Sequence, residues 1–222
     1  MSKMHLTLAA SSLLLLLGSS GESGATRQFK EERLVIEHTV TANEAALVIS
    51  AESEVPLGMV ELRDPLGQPA LRLQAGAARS LSLSGFNVES RESTLEELLE
   101  AYPEGPYTFG GRTVAGHVIV GGALLSHALP EAARPLWPRE GAVDVPTEGL
   151  TVRWEGDPQA AGFHVILEQG ENDGVSVTVP AGSNSLEIPG GVLAPHTQTL
   201  LEIATLGENG NRTLVEVSFT TR

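Results

Sequence analysis

From residue 33 onward, apolar and polar residues alternate in short runs separated by turn residues. Residues 33–40 (RLVIEHTV), 46–50, 59–63 and 70–74 each have the length and the β-branched or leucine-rich composition of a strand. Between the last two, Asp64-Pro65-Leu66-Gly67 supplies an acceptor, a preset φ and a glycine at the positions a hairpin turn requires. Val60 and Leu62 then share one face of their strand, Leu71 and Leu73 share one face of theirs, and Arg63, Arg72 and Gln74 point outward, the pattern of a half-buried antiparallel pair. A further strand is expected over residues 80–88. One helix interrupts the series. Ser93 is expected to cap it, with Glu96 completing a capping box, and Leu95, Leu98, Leu99 and Tyr102 fall on one face. Pro103 and Gly105 end it after about two turns, too short to hold unless the leucines pack.

Strand periodicity resumes with Tyr107-Thr108-Phe109, residues 113–120 and residues 123–127, punctuated by Gly110-Gly111 and Gly121-Gly122. Pro130, Pro135, Pro138 and Pro146 then stiffen the boundary segment between Ala128 and Glu148, with the linker expected over residues 130–142. Beyond it the spacing is that of a small sandwich. Leu150, Val152 and Trp154 alternate inward, as do Phe163, Val165 and Leu167, and further strands follow over 175–179, 185–188, 200–206 and 214–220. Glu171-Asn172-Asp173-Gly174 and Glu208-Asn209-Gly210-Asn211 read as hairpin turns.

The pattern leaves residues 1–25 unexplained as fold, and composition explains them as an export signal. Lys3 precedes an apolar run over residues 6–17, and Ser23-Gly24-Ala25 offers small residues before a cut after Ala25. The run is shorter than the roughly 20 residues that span a bilayer, so no stable membrane span is expected after cleavage. The formal net charge of −14 repels phosphate backbones and disfavours nucleic acid as a partner. Cysteine is absent, which removes disulfides, thiolate nucleophiles and thiolate metal sites together.

Candidate chemistry is sparse. His117 and His127, with His38, could build a tertiary site, but no two histidines have the spacing that presents a ligand pair from one element. Tyr107, His117 and His127 are the binding candidates of the N-terminal half, and Tyr107 with Phe109 is read first as core packing. The 171–174 turn carries oxygen donors without the pattern of a calcium loop. No Gly-x-Ser-x-Gly elbow and no phosphate-binding glycine loop is present, and Asn211-Arg212-Thr213 fits a glycosylation acceptor. No catalytic residue, cofactor or metal is assigned.

Residues 138–222 resemble a fibronectin type III domain. The resemblance rests on the proline-led entry, on Trp154 at the end of LTVRW, on GFHVILEQ, and on Leu193-Ala194-Pro195-His196-Thr197 before the penultimate strand. Where the family continues to a tyrosine whose hydroxyl anchors a corner, this chain has Thr199, so that anchor is missing or replaced. The N-terminal half, through Tyr102-Pro103-Glu104-Gly105, Tyr107-Thr108-Phe109 and Leu125-Ser126-His127-Ala128-Leu129-Pro130, resembles the upstream domain of exported bacterial proteins that carry such a module after it. That resemblance implies export and architecture and no chemistry.

The fold expected is all-β: two tandem antiparallel β-sandwiches of the immunoglobulin or fibronectin type III kind, with one short helix in the first. The expected limits are a signal peptide over 1–25, the first sandwich over 26–129, the linker over 130–142 and the fibronectin-like domain over 143–222. The function expected is a non-catalytic exported binding or structural module for protein or glycan partners at the bacterial cell envelope, periplasmic, cell-surface or secreted. The alternatives are a hydrolase or lyase with a site around Tyr107, His117 and His127, and a calcium-dependent adhesin.

Overall fold

The computed structural model describes residues 26–75, 83–170 and 172–222. The N-terminal half contains β1 (Arg27–Gln28), β2 (Glu31–Thr39), β3 (Glu44–Arg63), β4 (Pro69–Gln74), β5 (Leu83–Glu89), α1 (Leu95–Ala101), β6 (Gly105–Thr113) and β7 (Val118–Leu125). Its organiser is β3. The two runs expected as separate strands over 46–50 and 59–63 belong to this one 20-residue strand, which serves two layers. Its first part pairs with β2 and β5, and after a register break between Glu52 and Leu57 its second part pairs with β4 and β6. At the break, the Ser53 hydroxyl donates to the Val55 carbonyl and accepts from the Val55 amide, so the bend meets its own backbone needs. Leu47 and Ile49 from one layer and Leu57, Leu62 and Phe109 from the other close on a common core, with Phe29 edge-on to Phe109 at 5.9 Å between ring centroids.

The hairpin at Asp64 forms as its residues require. Asp64 Oδ1 accepts from the amides of Leu66 (2.9 Å) and Gln68 (2.7 Å), and Gly67 takes a φ of 78°. Helix α1 forms with its cap one residue later than expected. Ser93 is engaged with β3 through reciprocal backbone bonds to Ala45, so Thr94 becomes the N-cap and Glu97 the returning carboxylate. Leu98 is buried beneath the helix, with Leu95, Leu99 and Tyr102 packed around it. Part of the strand expected over 80–88 lies outside the described residues; the described strand there is β5.

The C-terminal half contains β8 (Arg134–Trp137), β9 (Ala142–Val145), β10 (Thr151–Glu155), β11 (Gly162–Gln169), β12 (Asn172–Pro180), β13 (Ser185–Glu187), β14 (Gln198–Leu206) and β15 (Arg212–Thr221). Strands β13, β10 and β8 form one sheet, and β15, β14, β11 and β12 face it, the layering of an immunoglobulin-like sandwich. Strand β8 arises inside the proline-rich segment and pairs with β10, so this connector supplies a strand to the second core. Trp154, with 1% of its surface exposed, packs on Phe163 at 5.6 Å between ring centroids. Where the family's tyrosine would stand, Thr199 is fully buried and its hydroxyl accepts from Gln169 Nε2 at 2.8 Å. Gln169 also receives the Ala194 amide at 2.7 Å and donates to the Ala194 carbonyl at 3.2 Å, so an amide bridge ties down the corner.

Among the described residues the architecture is therefore mostly β, with one short helix and two hydrophobic cores. The cores are joined edge to edge. Strand β2 of the first lies parallel to β15 of the second, and through this pairing a 12-stranded sheet runs the length of the molecule.

Candidate functional site

A dense polar construction lies where the two halves meet. The turn between β14 and β15 is closed by Gly207 donating to the Asn211 carbonyl (2.8 Å), Gly210 donating to Gly207 (3.0 Å) and the Asn211 amide donating to Asn209 Oδ1 (3.1 Å). Gly210 has a φ of 89°, a conformation side chains resist. This turn aims Asn211 at the other half. Asn211 is 1% exposed; its Oδ1 accepts the Ile36 amide at 2.9 Å, and its Nδ2 donates to the carbonyls of Ser126 and Ala128, both at 2.8 Å. Asn209 Nδ2 donates to the same Ala128 carbonyl at 2.8 Å, and the Thr213 hydroxyl donates to the Pro130 carbonyl at 2.8 Å.

These bonds meet a definite need. The chain leaves β7 at Leu125 and runs irregularly to β8, so its carbonyls have no ladder partner, and a buried unpaired carbonyl costs about 1–3 kcal/mol. Asn211 satisfies two carbonyls of the segment that follows β7 and an amide of β2 with one side chain. Around it, Arg212 pairs with Glu37 at 2.9 Å, the Val40 amide donates to the Leu214 carbonyl at 3.0 Å, and the Glu216 amide donates to the Thr41 hydroxyl at 3.2 Å. Beside the joint lies an open groove of about 690 Å³ bordered by Leu129, Pro130, Asp157, Gln159, Glu208 and Asn209. Both Asp157 carboxylate oxygens are engaged there, by the amides of Glu131 (3.1 Å) and Gln159 (2.7 Å).

The three candidates from the sequence are divided by the fold. Tyr107 is buried and donates to the Pro103 carbonyl at 3.2 Å. Burial first, then the Asp64 carboxylate and Tyr102, push its hydroxyl up to about 12, so at neutral pH it is a hydrogen-bond donor and no base. His127 Nε2 lies 2.8 Å from the Tyr102 carbonyl, next along the chain from the one Tyr107 uses. Its amide and the Ser126 hydroxyl both donate to Glu104 Oε1, which holds that carboxyl below its usual range. His127 thus fastens the segment after β7 to the end of α1, and Tyr107 fastens β6 to the residue that follows that helix end. His117 stands at the opposite end of the β6–β7 hairpin, ~20 Å away by strand rise, its amide on the Thr113 hydroxyl at 3.1 Å. There it borders an apolar recess of about 440 Å³ with Arg27, Val55, Pro56 and Val114. No three-residue constellation forms.

His38 sits on β2 at the joint, opposite Thr213, and partial burial lowers its pKa. Among the described residues, no group of three or more His, Asp or Glu side chains is arranged to hold a metal. Glu171 of the 171–174 turn lies outside the described residues.

Sequence reading missed Asn211 and Thr213 because nothing in their spacing announces burial. The turn signal at 208–211 located the loop but not what it touches. Glu32 was missed as well. It is partly buried on β2, its carboxylate accepts the Gly122 amide, and a Cβ at Gly121 would collide with Glu32 Oε1. Desolvation raises its pKa against that hydrogen bond.

No protein-family model matches the chain, and no curated protein is significantly similar to it. Solved structures similar to it include a two-domain fibronectin type III segment of chicken tenascin, 11% identical over 87% of this chain and 99% of that one, with a TM-score of 0.34. The fibronectin(III)-like modules of Clostridium thermocellum CbhA are 11% identical over 90% of this chain and 91% of theirs, with a TM-score of 0.35. A tetra-tandem repeat from the extending region of a large adhesion protein is 15% identical over 86% of this chain and 50% of that one, with a TM-score of 0.33.

Proposed function

We propose that this chain is an exported, non-catalytic module of the bacterial cell envelope that holds two sandwiches in one fixed orientation and engages a protein or glycan partner. The observation that supports this most is the joint. A buried asparagine bonded to three backbone groups of the other half, at Ile36, Ser126 and Ala128, together with a sheet continued through β2 and β15, opposes hinge motion. A catalytic cleft between halves commonly opens and closes; a fixed joint sets spacing and direction. We place the signal at 1–25, the first sandwich at 26–129, the connector at 130–142 and the second sandwich at 143–222, with the connector's β8 packed as part of the second.

Two measurements test the proposal. Fractionation of cells expressing the full-length chain is expected to find the protein, cleaved near Ala25, outside the cytoplasm; an uncleaved cytoplasmic protein overturns export. Purified protein tested against envelope proteins, cell-wall material and a glycan panel is expected to bind one class saturably and turn over no ester, glycoside or peptide substrate. Turnover without binding overturns the non-catalytic reading.

A further inference from the structure

The sheet has two ends, and they are finished differently. At one end, β7 is an uncharged strand, but β1 pairs with it at Ile119 and Val120, and the Glu32 carboxylate takes the amide of Gly122. At the other end, β12 pairs only with β11 among the described residues. Free strand edges template pairing with other chains, and proteins blunt them with charge. The remaining outer strands follow that rule: β4 carries Arg72, β5 Glu89, β8 Arg134, β9 Asp144 and β13 Glu187. Strand β12 likewise contains Asp173 and ends at Pro180, but the run between them, from Val175 to Val179, reads Val-Ser-Val-Thr-Val, five residues without charge or proline and β-branched at four positions.

We infer that the outer edge of β12 is a self-association surface, on which a second copy of this chain adds its own β12 antiparallel about a two-fold axis at Val177. The residue pattern argues for a second copy over an unrelated strand. Antiparallel pairing about Val177 sets Val175 against Val179 and Ser176 against Thr178 in both directions, so valine meets valine and hydroxyl meets hydroxyl. The valines are half-buried on the core side, while Ser176 and Thr178 are exposed on the outer face. Charge agrees. Two chains of formal net charge −14 repel, and this uncharged run lets their sheets meet with no like charges directly opposed. A cationic partner would find no carboxylate in the run. The inference concerns the purified protein's association state and is independent of the envelope reading.

Sedimentation velocity on protein purified after expression of the full-length chain tests it. The wild type is expected to show a concentration-dependent monomer–dimer equilibrium. Ser176→Lys with Thr178→Lys places lysine opposite lysine across the axis, and is expected to give monomer with unchanged circular dichroism. Ser176→Lys with Thr178→Glu places each lysine opposite a glutamate of the other copy, and is expected to keep the dimer. A wild type that stays monomeric up to its solubility limit overturns the inference. So does a dimer undiminished in the double-lysine variant, or a folded Lys/Glu variant that is monomeric.

Discussion

At the scale of single residues, the decisive side chains are polar ones whose burial depends on a distant segment. Asn211→Ala leaves the Ile36 amide and the Ser126 carbonyl without their side-chain partner, and Ala128 with only Asn209. The expected cost is about 3 kcal/mol, read as a shift in urea midpoint. Asn211→Asp should be no rescue, because a carboxylate cannot donate to the carbonyls that Nδ2 serves. Tyr107 and Glu32 both have raised pKa values, so each favours folding while protonated and loses that contribution as pH rises. For Tyr107 the window runs from its ordinary 10.0 up to about 12: wild-type protein should lose stability there, and Tyr107→Phe should lose less, measured by melting temperature against pH. For Glu32 the window begins at the ordinary 4.5 and extends above it. Glu32→Gln should flatten the fall in stability as pH rises through that window. None of these roles is legible from residue type, since the sequence names an asparagine in a turn without naming what the turn touches.

At the scale of elements, the sequence is more informative, and its errors have local causes. The hairpin at Asp64 follows from its own four residues and forms as read. The helix follows from its leucine stripe and also forms, but its cap moves from Ser93 to Thr94 because β3 recruits the Ser93 backbone through Ala45. Thr94→Ala is therefore expected to cost about 1 kcal/mol, while removing the hydroxyl of Ser93 should cost much less. Paired chemical denaturation curves distinguish the two. The long strand β3 shows the other kind of error. Its two apolar runs are visible, but the continuity between them depends on sheets to either side, which periodicity does not record. The corner at Thr199 shows the same limit: losing the tyrosine is legible, whereas its replacement by Gln169 is a contact across 30 positions of sequence.

At the scale of the whole molecule, the joint predicts a measurable rigidity. Small-angle scattering of the wild type should fit a single arrangement of the two halves, and Asn211→Ala should broaden the distance distribution without unfolding either core. An unchanged profile would mean that the β2–β15 pairing alone holds the orientation. The sequence by itself determined the all-β class, most of the strands, the short helix, the core tryptophan and the proline-rich passage between halves. It could do so because turn chemistry and the two-residue period of a strand act over a few neighbours. Only the tertiary structure decided that Tyr107 and His127 meet the chain after α1 apart from His117, that the Asn211 side chain bonds across the joint, and that β1 covers one sheet end while β12 pairs on one side among the described residues. Those outcomes rest on hydrogen bonds and strand pairings between segments far apart in sequence, and no local pattern encodes which distant backbone a side chain will meet.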